Sequence, residues 1–164
     1  MTPVSVRDAR SADAEAIGRV ARASWTDTYR EIFDAAFIEE FLVTNYAADA
    51  LAAQAERAAN SDDEHFLVAE RDGAVVAYAH YGEGRRGPEL FRIYADPAHY
   101  GTGAGSALLA ELHARLAGRV EGYVLDVHSR NARGRAFYDR NGFVLVGEGS
   151  TPDCDLTLRR MLEG

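Results

Sequence analysis

The sequence predicts a mixed β-sheet flanked by helices, which places the chain in the α/β class as a single domain over residues 1–164. Three patterns support this prediction. Short apolar runs of strand length alternate with amphipathic stretches, two apolar runs flank the turn pair Asp72-Gly73, and another run leads through a glycine-rich turn into a helix at residues 89–109. A chain of this length forms one core and is too short for two ordinary domains.

Each element follows from a local pattern. Apolar residues from Ile17 to Trp25 recur at the spacing of one helix face. Residues 47–60 are rich in alanine, which favours a helix, and Gly118 and Gly142 mark the ends of two later helices. In order, the predicted elements are a strand at 4–10, helices at 12–26 and 47–60, strands at 65–70 and 74–81, an exposed loop at 82–88, a strand at 89–95, a helix at 104–117, a strand at 122–127, a helix at 132–141, and strands at 143–146 and 156–162.

The glycine-rich turn at residues 101–106 (GTGAGS) has the character of a phosphate-binding loop. It leads directly into a helix, so several backbone N–H groups lie at the positive helix end with little side-chain bulk around them. A flexible glycine turn is the plain alternative. A P-loop is excluded because Ser106-Ala107 follows Gly105, where that motif needs Lys-Ser or Lys-Thr. A dinucleotide-binding fold stays open, since its third glycine is absent but Asp126 lies about 20 residues further on.

Two segments resemble the GCN5-related N-acetyltransferases, the GNAT superfamily. Residues 100–105 (YGTGAG), preceded by Pro97, resemble the family's R/Q-x-x-G-x-G/A motif, with Tyr100 where the family has Arg or Gln. Residues 131–143 (NARGRAFYDRNGF) resemble its N-x-x-A-x-x-F/Y-Y-x-x-x-G-F signature, although the alanine stands at position 136. The likeness in element order runs from residue 4 to residue 162. It implies a mostly antiparallel central sheet and an acetyl-CoA-dependent N-acetyltransferase.

The resemblance also implies where acetyl-CoA binds. In the family, backbone amides of the glycine loop hold the pyrophosphate, a strand backbone pairs with the pantetheine amides, and an Asn side chain hydrogen-bonds the pantetheine arm. For Asn131, capping of the following helix is an equally physical alternative. The implied residues are Ile93, Tyr94, Ala95, Tyr100, Gly101, Thr102, Gly103, Ala104, Gly105, Ser106 and Asn131.

Acetyl transfer to an amine needs a base for the amine proton and an acid for the departing thiolate. Glu89 heads the central strand, eleven residues before Tyr100, and some family members have a catalytic glutamate at this spacing. A solvated glutamate at a strand end is the alternative. Tyr138 resembles the family's tyrosine that protonates the thiolate, and an ordinary phenol, with a pKa of about 10, carries that proton at neutral pH. Helix packing is the alternative role of Tyr138.

The expected acceptor is a primary amine on a small molecule or a peptide. Residues 24–46 are rich in aromatic side chains, and their first six residues (SWTDTY) resemble a W-x-x-T-Y segment of some bacterial-type acetyltransferases. In this sequence the segment corresponds to Trp25, Thr28 and Tyr29, and the likeness implies a lid over the acceptor site. We expect the acceptor to bind between Trp25 and Tyr29 on one side and Glu89 on the other, whereas packing of the aromatic residues into the core is the alternative. The surplus of acidic residues favours a cationic acceptor such as a polyamine.

Composition argues against several other classes of function. A net charge of -8 disfavours binding to nucleic acid or to an anionic membrane surface. The histidines show no metal-ligand spacing, so we expect no metal, and Cys154, as the single cysteine, cannot form an intramolecular disulfide. Without a transmembrane run or a signal-peptide pattern, we expect a cytoplasmic protein. A homodimer stays open, as does a non-catalytic coenzyme A-binding module of the same fold.

Overall fold

The computed structural model describes residues 2–152 and 154–163, and within these ranges it contains one seven-stranded sheet and five α-helices. The strand order is β1-β2-β3-β4-β5-β7-β6. The strands are β1 (Ser5–Asp8), β2 (His65–Arg71), β3 (Ala74–Gly84), β4 (Gly87–Ala95), β5 (Gly122–Val127), β6 (Val144–Thr151) and β7 (Cys154–Met161), and the helices are α1 (Ala14–Tyr29), α2 (Ala35–Asn45), α3 (Ala48–Ala59), α4 (Ala104–Leu116) and α5 (Ala132–Arg140).

Neighbouring strands run antiparallel except for β4 and β5, which are parallel. Among the described residues these two strands pair only at Glu89 and Val124. On its other edge β4 continues to pair with β3 as far as Ala95. Beyond Glu89, therefore, β4 has an edge that β5 does not cover. The mostly antiparallel sheet confirms the predicted fold class and excludes the dinucleotide-binding alternative, whose sheet is parallel.

Two apolar clusters fill the two faces of the sheet. Consecutive strand residues point to opposite faces, so Phe66 joins one cluster and Leu67 the other. Helices α1, α2 and α3 cover the face of Phe66, and α4 covers the face of Leu67 with five buried residues of its own. The sheet is consequently buried on both faces through its centre, and β4 contributes Leu90 and Ile93 to one cluster and Tyr94 to the other.

The segment at residues 82–88 differs from the exposed loop that the sequence predicts. Strand β3 extends to Gly84 and β4 begins at Gly87, and these two residues pair across a tight turn. Gly82 and Gly84 lie within β3 because they pair with Glu89 and Gly87 on β4. Neighbouring side chains occupy the space that a Cβ atom would need: a Cβ at Gly82 would lie 2.9 Å from the ring of Phe91, and one at Gly84 would overlap Glu89. Glycine here permits close packing and does not mark a loop.

The region between β1 and β2 holds three helices where the sequence predicts two. The additional helix is α2, in the aromatic segment after α1. The side chain of Asp34 caps it by accepting a hydrogen bond from the backbone N–H of Phe37 at 2.8 Å. None of the helices in the described part of the chain has the length and apolar character needed to cross a membrane.

Candidate active site

A cavity of about 480 Å³ lies between the uncovered edge of β4, the start of α4 and the length of α5. Its volume is within the usual range for small-molecule sites. Ten of the eleven residues that the sequence assigns to acetyl-CoA line it, together with Tyr138. The wall is formed by Ser24, Thr28, Ile93, Tyr94, Ala95, His99, Tyr100, Gly101, Gly103, Ala104, Gly105, Ser106, Asn131, Arg133, Gly134, Phe137, Tyr138 and Arg140.

The glycine loop presents the beginning of α4 to this cavity. Gly101 and Gly103 have φ angles of +73° and +88°, which glycine adopts without strain and other residues do not. The first backward hydrogen bond of the helix runs from the N–H of Ala107 to the carbonyl of Gly103 at 2.9 Å. The N–H groups just before Ala107 therefore have no acceptor within the helix. These groups, at the positive end of the helix dipole, form a wall suited to a phosphate.

Thr102 is the exception among the predicted coenzyme-binding residues, because it does not line the cavity. Arg71, buried at the end of β2, donates to the Thr102 hydroxyl at 2.8 Å and to the Thr102 carbonyl at 3.1 Å. The same guanidinium lies 3.1 Å from Nδ1 of His99 and donates to the carbonyl of Thr2 at 2.7 Å. Thr102 thus anchors the loop to the sheet while its glycine neighbours face the cavity.

The uncovered part of β4 forms the opposite wall. Ile93, Tyr94 and Ala95 line the cavity beyond the point where β5 stops pairing. A strand edge without a neighbouring strand presents backbone donors and acceptors at regular spacing, and an extended amide-containing chain pairs with it as a further strand would. The pantetheine arm of coenzyme A is such a chain, so this wall fits the group that the sequence predicts.

Helix α5 contributes Asn131, which precedes its first residue, and Tyr138 in its last turn. The Asn131 side-chain oxygen accepts from the N–H of Gly134 at 2.9 Å, so the capping alternative is realised, while the residue also lines the cavity. Tyr138 packs against Phe143 with ring centres 5.3 Å apart and reaches the same wall. Burial raises the pKa of Tyr138 above the ordinary value of 10.0 for a phenol. Tyr138 therefore keeps its proton at neutral pH.

Glu89 lies outside the cavity wall, at the position where β4 and β5 pair. Its carboxylate is 3.7 Å from Nη2 of Arg86, which in turn lies 3.0 Å from the carboxylate of Asp126. Burial raises the pKa of Glu89 above the ordinary glutamate value, and Arg86 opposes this shift. Glu89 is thus a stronger base than an exposed glutamate, at the closed end of the gap between the two strands.

Trp25 and Tyr29, assigned by sequence to the acceptor site, are 5% and 3% exposed and belong to the apolar cluster under α1, α2 and α3. Trp25 stacks on Phe41 with ring centres 3.9 Å apart. Their burial favours the core-packing alternative. The same helix places Ser24 and Thr28 on the cavity wall instead.

Sequence reasoning missed several residues of the cavity. Arg133 and Gly134 lie inside the segment that resembles the family signature, so their location was available from the motif. His99 lies in the turn just before the glycine loop, and Arg140 ends α5. Arg71 carried no local signal, because its role depends on a loop that lies 31 residues away in the sequence.

Comparison with known proteins agrees with this geometry. A family model described as an acetyltransferase (GNAT) domain matches residues 62–145. A spermidine N(1)-acetyltransferase of Thermoplasma acidophilum is 29% identical over 143 residues, covering 85% of this chain and 88% of that protein. The crystal structure of a PaiA N-acetyltransferase from the same organism, in complex with coenzyme A, superposes with a TM-score of 0.89 at 26% identity and covers 97% of this chain and 99% of the other.

A GCN5-related N-acetyltransferase from Rhodopseudomonas palustris shares the fold, with a TM-score of 0.76 at 18% identity over 99% of this chain and 97% of that one. The family model itself spans 84 of the 164 residues, including the glycine loop and the whole signature segment at residues 131–143. Fold, cavity and sequence likeness thus agree that the chain belongs to the GNAT family of N-acetyltransferases.

Proposed function

We propose that this enzyme transfers the acetyl group of acetyl-CoA to a primary amine of a small, polyamine-like molecule or of a peptide. The observation that carries the proposal is the convergence in one cavity of the α4 N-terminus, the uncovered β4 edge and Tyr138. The likeness to a spermidine N(1)-acetyltransferase and to a coenzyme A complex supports the donor and the class of acceptor.

In this proposal the donor is held mainly by backbone groups. The N–H groups of Ala104, Gly105 and Ser106 bind the pyrophosphate, with Tyr100, Gly101 and Gly103 shaping the loop around it. The backbone of Ile93, Tyr94 and Ala95 pairs with the pantetheine amides, and one N–H there polarises the thioester carbonyl. The Asn131 side chain borders the pantetheine arm. Thr102 contributes indirectly, since its contacts with Arg71 hold the loop in shape.

The reaction requires two proton movements. The amine nitrogen bonds to the acetyl carbon, the carbon–sulfur bond breaks, and the amine gives up a proton as the sulfur gains one. Tyr138 keeps its proton at neutral pH and supplies it to the leaving sulfur. Glu89, with its raised pKa, accepts the amine proton through water, because its carboxylate does not line the cavity itself.

The acceptor side of the proposal rests on charge and on the relative. The chain has 26 acidic and 18 basic residues, so a cationic amine is attracted to it at long range. Glu89 and Asp126 place carboxylates near the closed end of the strand gap. Spermidine and related polyamines are therefore the first acceptors to test, followed by peptides with a free amino terminus or a lysine.

The test measures thiol release from acetyl-CoA with spermidine, spermine, putrescine, lysine and a short peptide as acceptors. We expect release above the background hydrolysis rate with at least one of these amines, and mass spectrometry of the product to show one added acetyl group. Coenzyme A binding without release for any amine would instead support a non-catalytic coenzyme A-binding module.

We also propose that residues 1–164 form one N-acetyltransferase domain, because the coenzyme A-bound neighbour superposes over 97% of the chain. A cytoplasmic location and a homodimer stay predictions. Sedimentation velocity at micromolar concentration tests the homodimer directly.

A further inference from the structure

The charge of the cavity wall contrasts with that of the whole chain. The chain carries 26 acidic and 18 basic residues. Among the described residues that line the cavity, however, two are arginines, Arg133 and Arg140, and none is Asp or Glu. The positive end of α4 lies on the same wall. The wall is therefore locally cationic in an acidic protein, as binding of a polyanion requires.

Arg133 is held at this wall by contacts with two other elements. Its guanidinium carbon lies 4.2 Å from the centre of the Tyr100 ring, which directly precedes Gly101 of the glycine loop. Its Nη1 lies 3.3 Å from the carboxylate of Asp27 on α1. The Tyr100 hydroxyl lies 3.5 Å from Oγ of Ser24, so the ring has a contact of its own with α1. The Arg133 side chain is still 62% exposed and accessible to a ligand.

We propose that Arg133 binds the pyrophosphate of coenzyme A, with the Tyr100 ring as its platform and Asp27 as the partner that it exchanges for phosphate. Stacking fixes the plane of the guanidinium, and its N–H groups can bond two phosphate oxygens at once. Arg133 pairs with Asp27 in the free protein and with phosphate in the complex, so its charge is never left without an anion. This pairing limits the free-energy cost of the exchange. Tyr100 has no charge, so Arg133 provides the cation on this side of the glycine loop.

The proposed role of Arg133 rests on the proposed binding of acetyl-CoA in this cavity. Calorimetry with coenzyme A tests the role of Arg133 and the binding of the coenzyme separately. We expect Arg133→Gln to weaken coenzyme A binding by about 10-fold, as loss of a charge-assisted hydrogen bond does. Arg135→Gln is the matched control, because Arg135 is on the same helix, outside the cavity wall, and bonds the Ser129 carbonyl at 2.9 Å. We expect its affinity to stay within about 2-fold of the wild type.

Equal affinity of Arg133→Gln and the wild type for coenzyme A would overturn the inference and leave acetyl-CoA binding intact. A wild-type protein that fails to bind coenzyme A would overturn the proposed function itself. Thermal midpoints of both variants, measured without ligand, check that each is folded.

Dephospho-coenzyme A, which lacks the 3′-phosphate, identifies the phosphate that Arg133 contacts. We expect the same loss of about 10-fold for Arg133→Gln with this ligand, because its pyrophosphate is unchanged. A loss seen with coenzyme A but absent with dephospho-coenzyme A would assign Arg133 to the 3′-phosphate and overturn the pyrophosphate assignment. Salt screens the attraction between Arg133 and phosphate. Over about one decade of salt concentration, from roughly 50 to 500 mM, the coenzyme A affinity of Arg133→Gln should therefore decrease less steeply than that of the wild type.

A double-mutant cycle tests the role of the Tyr100 platform. Tyr100→Leu removes the ring, and we expect its loss of affinity and that of Arg133→Gln to be less than additive in the double variant. Additive losses would show that the ring does not act through Arg133. Asp27→Asn removes the competing carboxylate, so it should raise affinity for coenzyme A by about 2-fold to 3-fold, and a decrease would contradict the proposed exchange.

Discussion

Tyr138 combines two properties that make it a candidate proton donor: it borders the cavity, and burial raises its pKa above that of an ordinary phenol. Tyr138→Phe removes the proton and keeps the ring against Phe143. We expect steady-state turnover to fall by roughly 10²-fold with coenzyme A affinity unchanged. Tyr123→Phe is the control, since that hydroxyl contacts His113 at 2.9 Å away from the cavity wall. Unchanged turnover in Tyr138→Phe would make Tyr138 a packing residue.

Glu89 is the second residue whose surroundings alter its chemistry. Its raised pKa predicts that kcat/KM increases with pH through a value above the ordinary glutamate pKa of 4.5, as the carboxylate becomes free to accept a proton. Glu89→Gln should lower kcat and abolish this acidic limb, whereas Glu83→Gln, an exposed carboxyl on β3, should keep it. If the limb persists in Glu89→Gln, another group or bulk water is the base.

At the scale of elements, the glycine loop and α4 form one unit with a positive-φ glycine at each end. Gly103→Ala places a side chain at φ +88°, beside the cavity, and Gly118→Ala does so at φ +76°, past the other end of the helix. An added Cβ meets nothing within 4 Å at either position. Each variant should therefore lose about 1–2 kcal/mol of unfolding free energy from backbone strain alone.

Only Gly103→Ala should also weaken coenzyme A binding, because only its strain disturbs the N–H groups that face the cavity. Chemical denaturation and calorimetry measure the two effects separately. Equal coenzyme A affinity in both variants would show that the loop is not the phosphate site.

Helix α1 has one face that packs into the core and another that lines the cavity. Trp25 lies on the core face, and Ser24 and Thr28 lie on the cavity face. Trp25→Ala should cost about 3–5 kcal/mol of unfolding free energy, because it leaves a void beside Phe41. Urea denaturation measures this loss, and Trp25→Phe should lose less. A stable Trp25→Ala protein with a higher KM for the acceptor would place Trp25 at the acceptor site and contradict the packing interpretation.

At the scale of the whole molecule, a buried imidazole, His80, and a partly buried one, His113, couple folding to pH. Burial lowers the pKa of His80 and of His113 to about 4, from an ordinary value of 6.5. The unfolded chain therefore binds more protons between these values, and stability falls as pH decreases from 6.5 to about 4. The hydrogen bond from Arg57 lowers the pKa of Glu64 to about 2, so a further loss begins below the ordinary glutamate value of 4.5.

Thermal midpoints measured from about pH 8 to about pH 4 test this coupling, because this range contains both the ordinary and the lowered histidine pKa values. His113→Gln keeps a polar partner for Tyr123 and removes one titrating group, so its midpoint should vary less with pH than that of the wild type. An identical pH dependence would exclude His113 as one of the coupled groups.

Local chemistry in the sequence determined most of the element order, the hairpin at Asp72-Gly73 and the helix that follows the glycine loop. It also predicted that the glycine loop faces a ligand, because positive-φ glycines and a helix N-terminus are properties of adjacent residues. The resemblance to the family supplied the other predicted residues that line the cavity, namely Ile93, Tyr94, Ala95 and Asn131. The motif likeness determined the family, since the spacing of these local features is what the family shares.

Tertiary structure decided everything that depends on a distant partner. Arg71 holds Thr102 away from the cavity although it lies 31 residues away in the sequence. Gly82 belongs to a strand because it pairs with Glu89, and the Phe91 ring fills the space beside it. Trp25 lies in the core, where it stacks on Phe41. Arg133 contacts the start of the glycine loop through the ring of Tyr100. Such contacts depend on which helix and loop surfaces pack against each face of the sheet. The residue pattern along a single element does not specify that packing.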